Sequence, residues 1–194
     1  MSEARRERWR PLLFLGILVA AGVVFVYGRT LGEDTPGDFE VRTGNYRLED
    51  GLFDDAIRRF EAALDKNPAH PGAHLGLAIT FLQTGRLEDA IAKFDQALAL
   101  DPGMATAYAD RGIAWDRSGE YDRALADYRT ALELDATLVK GPGWLWRFLR
   151  NVDEKPSTIT DRAAYLEAEL SKPADQRLLQ VPDQDRKQRM YRVD

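Results

Sequence analysis

The chain repeats itself at intervals of 34 residues, and this period limits the folds that it can adopt. The segment FDDAIRRFEAAL at 53–64 returns as LEDAIAKFDQAL at 87–98 and as YDRALADYRTAL at 121–132. The charged residues differ between the copies, whereas the small and apolar positions are kept. A fixed period of this length is typical of proteins that stack one supersecondary unit on the next. We therefore expect three stacked units.

The kept positions predict helical hairpins. A glycine recurs between two helical patterns, where a residue that tolerates positive φ allows one helix to end and the next to turn back. An alanine lies four residues before an aromatic in each second helix, so the pair shares one face. The small residue permits close helix approach, and the aromatic fills the layer between hairpins. The three columns are Gly51, Gly85 and Gly119; Ala56, Ala90 and Ala124; and Phe60, Phe94 and Tyr128.

This pattern resembles the tetratricopeptide repeat, a 34-residue helix-turn-helix with small, aromatic, alanine and proline columns at these spacings. The resemblance covers 37–138 and implies an all-α solenoid. His74 stands where the family often carries Trp or Tyr, and Thr43 and Arg111 replace a customary Leu. The expected repeats are 37–70, 71–104 and 105–138.

An uncharged apolar segment, PLLFLGILVAAGVVFVYG at 11–28, precedes the repeats. As a helix it would measure about 27 Å, close to the ~30 Å hydrocarbon core of a bilayer, which predicts a transmembrane helix. Four arginines precede it and acidic residues come after it, so the positive-inside rule places 1–10 in the cytoplasm and the repeats outside, after a linker at 29–36. A cleaved signal peptide is the second interpretation and a buried core helix the third.

The solenoid needs a cap, because its last repeat would otherwise expose an apolar side. Apolar residues recur at helical spacing after Gly141-Pro142-Gly143, beginning at Trp144, and a second helix is expected from about Thr160 to Leu170. The region 139–172 is therefore interpreted as a capping helix and a following helix. A charged tail occupies 173–194.

Composition and motifs argue against catalysis and nucleic-acid binding. The net charge is −5, whereas nucleic-acid binders need a basic face. There is no cysteine, and we find no phosphate-binding glycine loop and no nucleophile motif. The only histidines, His70 and His74, are interpreted as one surface and one packed residue. We expect no catalytic residue, metal, cofactor or small-molecule substrate.

The resemblance implies that the first helix of each repeat lines a concave groove that binds protein segments. Co-chaperones of the family hold a peptide's terminal carboxylate with Lys, Arg and Asn, but only Asn45 matches that clamp here. An amphipathic helix or an extended apolar segment fits better. The alternative is that the chain's own Leu178, Leu179 and Val181 fill the groove. The expected groove residues are Asn45, Leu48, Leu75, Ile79, Leu82, Ala109, Ile113 and Asp116.

These observations predict a single-pass protein of a bacterial inner membrane, with its repeats in the periplasm. It would act as an adaptor that binds membrane or envelope proteins and supports assembly of a complex. Membrane confinement would raise the effective concentration of such partners. The alternatives are a permanent accessory subunit of a membrane enzyme complex and an organelle-surface receptor with cytosolic repeats.

Overall fold

A computed structural model describes residues 35–140 and 158–180. These two ranges contain seven α-helices and two short 3-10 segments, Ala136–Lys140 and Ala174–Gln176. The helices are α1 (Asp38–Glu49), α2 (Phe53–Lys66), α3 (Pro71–Gln83), α4 (Leu87–Leu100), α5 (Ala105–Ser118), α6 (Tyr121–Leu134) and α7 (Ile159–Leu170). The segment 11–28 and the helix expected from Trp144 lie outside these ranges. Within them, no helix has the length and apolar character that crossing a bilayer requires.

The first six helices form three successive hairpins, which confirms the predicted all-α repeat solenoid. The two helices of each hairpin pack together, and each second helix packs on the first helix of the next hairpin. The turns inside the hairpins contain Gly51, Gly85 and Gly119, with φ values of 74°, 78° and 84°. Residues that carry a side chain rarely adopt this left-handed backbone conformation. This explains why glycine recurs at these three positions.

An aromatic side chain fills the layer between neighbouring hairpins, as the sequence predicts. The Phe60 ring of α2 is fully buried between α1 and α3. A Cβ atom added at Gly44 would lie 2.6 Å from Phe60 Cε1, and one added at Gly76 would lie 2.3 Å from it. A Cβ atom added at Gly112 would likewise lie 2.6 Å from Tyr128 Cε1. The small and aromatic columns are therefore one packing unit.

A short turn built on an Asn or Asp side chain ends each hairpin. The Oδ1 atoms of Asn67, Asp101 and Asp135 accept hydrogen bonds from the amide two residues later, at 3.1, 2.9 and 2.8 Å. The third copy has Ala136 where the first two have proline, yet it keeps this turn. The hydrogen bond of the Asn or Asp side chain therefore forms the turn that ends each hairpin, and a proline after it is not required for that turn.

Arg111 explains one departure from the family pattern. Its guanidinium donates to both carboxylate oxygens of Asp127 in α6, at 2.8 and 2.7 Å, and to Asp95 Oδ1 in α4 at 2.6 Å. Burial acts to lower the pKa of Arg111, but the hydrogen bonds and charges of the two aspartates outweigh it and raise the pKa above its ordinary value. A polar link between the second and third hairpins thus stands where an apolar residue is customary.

The helix α7 closes the C-terminal end of the described fold. Thr158 Oγ1 accepts from the Asp161 amide at 3.2 Å, and Asp161 Oδ2 accepts from the Thr158 amide at 2.9 Å, which forms a capping box. The helix packs on α6 and on the 3-10 segment Ala136–Lys140. It buries Ile159 and Leu166 in the common core.

Candidate protein-binding groove

A cavity of about 120 Å³ lies between the first helices of the first two repeats. Helices α1 and α3 supply its walls, and Met104, just before α5, completes them. The lining is largely apolar, and none of its residues is Lys, Arg or His. The lining residues are Val41, Asn45, Leu48, Glu49, Gly72, Leu75, Gly76, Ile79, Gln83 and Met104.

Four of the expected groove residues line this cavity: Asn45, Leu48, Leu75 and Ile79. Asn45 is exposed at the surface of α1. Leu75 and Ile79 are only 2% and 6% exposed, so they form the wall of a narrow cavity and not the exposed apolar strip that the sequence suggested. The apolar part of the site is thus recessed.

Three other expected groove residues have no accessible surface: Leu82, Ala109 and Ile113. The reason is clearest for Leu82, because α3 contacts α1, α2, α4 and α5, and every residue from Ala73 to Leu82 is buried. A helix surrounded in this way has no open face. The middle of the expected groove is therefore core in this conformation.

The eighth expected groove residue, Asp116, is held by the C-terminal helix. Arg162 of α7 donates from Nε and Nη2 to the two carboxylate oxygens of Asp116, both at 2.7 Å. Both side chains are almost completely buried, and the Tyr128 hydroxyl also donates to Asp116 at 3.2 Å. The fork geometry of arginine matches a carboxylate, which makes this a strong pairing. The chain itself thus occupies the third-repeat end of the groove.

The segment after α7 is strapped back onto that helix. Glu169 Oε2 accepts from the Leu178 amide at 2.8 Å, and the Tyr165 hydroxyl donates to the Leu178 carbonyl at 2.5 Å. The Leu178 amide, then Lys172, lower the pKa of Glu169 below its ordinary value. Leu179 packs on the core and its carbonyl accepts from Arg162 at 3.0 Å, whereas Leu178 is 68% exposed.

The chain's own C-terminal residues therefore fill the groove at the third repeat but not at the first two. Leu179 and α7 close the third-repeat end, while the cavity between α1 and α3 stays open. Val181, the third residue suspected of filling the groove, lies outside the described ranges. Among the described residues, α7 and Leu179 therefore leave the cavity at the first two repeats uncovered.

Both histidines are buried, so the interpretation of one as a surface residue is wrong. His70 Nε2 lies 2.8 Å from Asp38 Oδ1 and ties the start of α1 to the turn before α3. His74 Nε2 donates to the Pro68 carbonyl at 2.9 Å. Across 35–140 and 158–180, no three His, Asp or Glu side chains are grouped so as to hold a metal ion.

A second pocket, which sequence reasoning missed, lies on the first repeat. It measures about 340 Å³ and is lined by Arg47 of α1 and by Asp55, Arg58 and Arg59 of α2. Arg58 and Asp55 form an ion pair one turn apart on α2. The hairpin geometry brings Arg47 beside Asp55, Arg58 and Arg59, which lie 8 to 12 positions later, so charge counting along the chain did not reveal the cluster.

Comparison with known proteins supports the assignment of the fold. A family model described as Tetratricopeptide repeat matches 41–105 and 88–139, which together span 41–139, or 99 of the 194 residues. No curated protein matches the chain at a significant level.

Solved structures with the same fold include domains that hold a peptide. The first TPR of Spaghetti (RPAP3), bound to the HSP90 peptide SRMEEVD, is 20% identical with a TM-score of 0.56, covering 71% of this chain and 94% of that one. The second TPR of that protein, bound to the same peptide, is 26% identical with a TM-score of 0.50, covering 52% and 93%. The Arabidopsis OM64 TPR domain is 24% identical with a TM-score of 0.51, covering 53% and 84%.

Proposed function

The chain belongs to the tetratricopeptide repeat family, and on this premise we propose that it is a protein-binding module whose working site is the cavity between α1 and α3. The apolar walls at Leu48, Leu75 and Ile79 carry the proposal, because a recessed apolar cavity gains most from an apolar side chain that displaces its water. The cavity volume of about 120 Å³ suits one aliphatic or aromatic anchor rather than a long segment.

The partner chemistry differs from that of the acidic peptide held by the similar structures. The wall of the cavity has no Lys, Arg or His. By resemblance to the co-chaperones, Val41 and Gly76 stand at two of the positions where those proteins carry their carboxylate-clamp residues. A buried carboxylate without a cationic partner is strongly disfavoured. We therefore propose an apolar anchor on an amphipathic helix or an extended segment, with Asn45 and Gln83 as its polar contacts.

The proposal also includes the cellular location of the protein. The apolar segment 11–28 would anchor the chain in a bacterial inner membrane, and the arginines before it would keep 1–10 in the cytoplasm and place the repeats in the periplasm. There the module would bind membrane or envelope proteins and support assembly of their complex. Confinement to the membrane allows a small cavity to suffice, since the effective partner concentration is high.

A site-specific photocrosslinker in native membranes tests the site. Placed at Asn45, on the cavity rim, it should form adducts with a small set of proteins, whereas at Ala99, an exposed position of α4, it should not. Gly72→Leu should abolish the Asn45 adducts, because an added Cβ there meets its neighbours at 3.3 to 3.5 Å and the longer side chain fills the cavity. Ala92→Leu places the same leucine side chain on an exposed part of α4 and should change nothing.

The outcomes separate the possible functions. The same adducts at Asn45 and Ala99, or adducts that survive Gly72→Leu in a folded protein, would show that the cavity is not the binding site. Copurification of the captured proteins that resists high salt would instead favour the permanent accessory subunit. Protease added to spheroplasts should degrade the repeats, and protection until lysis would reverse the topology.

A further inference from the structure

The helix α1 presents its two aromatic side chains to solvent on one face. Phe39 and Tyr46 are 63% and 68% exposed and lie seven residues apart, two helical turns along the same side. Arg42, between them on that side, is also exposed. The opposite side of α1 contributes Gly44 and Leu48 to the fold. Exposed aromatic residues that are grouped on one helix face usually mark a contact surface, whereas single scattered ones do not.

The pocket lined by Arg47, Asp55, Arg58 and Arg59, called the arginine pocket below, continues this face onto α2. Arg47 follows Tyr46 in α1 and shares the pocket with Arg58 and Arg59. Arg58 is 67% exposed at its side chain even with Asp55 beside it. One end of the solenoid thus combines aromatic rings with several guanidinium groups, although the first hairpin, 38–66, carries eight Asp or Glu residues and five Lys or Arg residues.

Chain length keeps this face close to the predicted membrane span. Nine residues, 29–37, separate the end of that span from Asp38, the first residue of α1. If the span forms as proposed, the start of α1 would lie at most about 30 Å from the end of that span, which is the fully extended reach of nine residues. Aromatic rings favour the headgroup level, and basic residues are attracted to anionic headgroups.

We propose that Phe39, Arg42 and Tyr46 of α1, together with the arginine pocket, form a face that docks on an anionic lipid surface. The proposal rests on the membrane anchoring proposed above. The rings insert at the headgroup level, and the guanidinium groups bind lipid phosphates. Docking holds the α1 wall of the cavity at the membrane surface, where partner segments emerging from the bilayer would meet it.

The absence of cysteine allows a direct test with single labels in the full chain. Thr43→Cys places an environment-sensitive fluorophore on the face, while Thr130→Cys in α6 serves as the matched control. Both threonines are half-buried, and both donate to the carbonyl four residues earlier, at 2.9 and 3.0 Å. The protein is reconstituted in vesicles that contain a headgroup-level quencher lipid, with or without phosphatidylglycerol.

We expect strong quenching at position 43 in anionic vesicles, weaker quenching in neutral ones, and little at position 130. Phe39→Ser with Tyr46→Ser should abolish it. Arg58→Gln and Arg59→Gln should each lower the docked-to-undocked ratio about fivefold, which corresponds to about 1 kcal/mol per basic residue at an anionic surface. Circular dichroism should show unchanged helicity in these exposed variants.

The failures are distinguishable. Equal, weak quenching at 43 and 130 in protein that floats with vesicles after an alkaline wash would overturn docking and leave anchoring intact. Loss of flotation after that wash would overturn anchoring and, with it, the docking proposal. Quenching at 43 that depends on a second labelled copy and not on lipid would show that the face is an interface between two copies, which also overturns the proposal.

Discussion

The two ends of the repeat array treat equivalent positions differently. Leu48 in the first repeat and Asp116 in the third are related by two 34-residue steps. Leu48 lines an open cavity, whereas Asp116 is buried against Arg162. The position within a repeat thus fixes which way a side chain points, and the next element in the chain decides whether that direction is open. The proposed binding site therefore lies at the end that no later helix of the described residues covers.

The largest effect is expected from removing the buried ion pair between Arg162 and Asp116, which closes the third-repeat end. Arg162→Ala leaves the Asp116 carboxylate buried without its partner and should lower the free energy of unfolding by about 3 to 5 kcal/mol. The control is Arg129→Ala, which removes an exposed ion pair with Glu167 that also joins α6 and α7 and should cost about 1 kcal/mol or less. Denaturant unfolding measures both. Equal losses would mean that the buried pair does not hold α7 in place.

Two glycines of α3, Gly76 and Gly72, can test how closely the Phe60 ring packs on this helix. Gly76→Ala should cost about 1 to 3 kcal/mol, because the new Cβ would lie 2.3 Å from the ring. Gly72→Ala, with contacts of 3.3 Å or more, should be neutral or should stabilise by up to about 1 kcal/mol through helix propensity. Thermal unfolding of both variants gives the comparison. A harmless Gly76→Ala would place the aromatic layer elsewhere.

Restoring the family's customary leucine at Arg111 should weaken the connection between the second and third repeats. Arg111→Leu leaves Asp127, 9% exposed at its side chain, without its bidentate partner, at a cost of about 1 to 3 kcal/mol. Asp95 is 55% exposed and contributes little to that loss. Adding Asp127→Leu should therefore recover most of the stability. If Arg111→Leu alone stabilises the protein, the polar link is dispensable.

The smallest expected effect is the loosening of the strap at the third-repeat end by acid. Because the folded pKa of Glu169 is lowered, its contribution to stability is present above the ordinary glutamate pKa and is lost as the pH falls through the folded pKa. The Leu178 amide resonance should shift in that acidic window. In Glu169→Gln the shift should disappear. A pH-independent Leu178 resonance in the parent chain would contradict the strap.

Local periodicity was enough to predict the hairpins, since Gly51, Phe60 and their equivalents act within one repeat or on its neighbour. The burial of Leu82 and Ile113 was missed because exposure depends on how many helices surround a position, which a repeat pattern does not encode. A signal was present at Asp116, a carboxylate in a column otherwise occupied by Leu48 and Leu82. Its partner lies 46 residues later, beyond the repeat, so only the folded chain reveals it.

The cavity has a mechanical consequence, because its two walls belong to different repeats. Helix α1 is joined to α3 through the hairpin turn, helix α2 and the Asx turn at Asn67, so a small rotation of the first hairpin changes the width of the cavity. The contact between His70 and Asp38 spans the same joint and resists that rotation. On the proposed function, binding in the cavity and the stiffness of this joint are coupled: a bound segment would stiffen the joint, and a rotation that widens the cavity would weaken the binding of that segment.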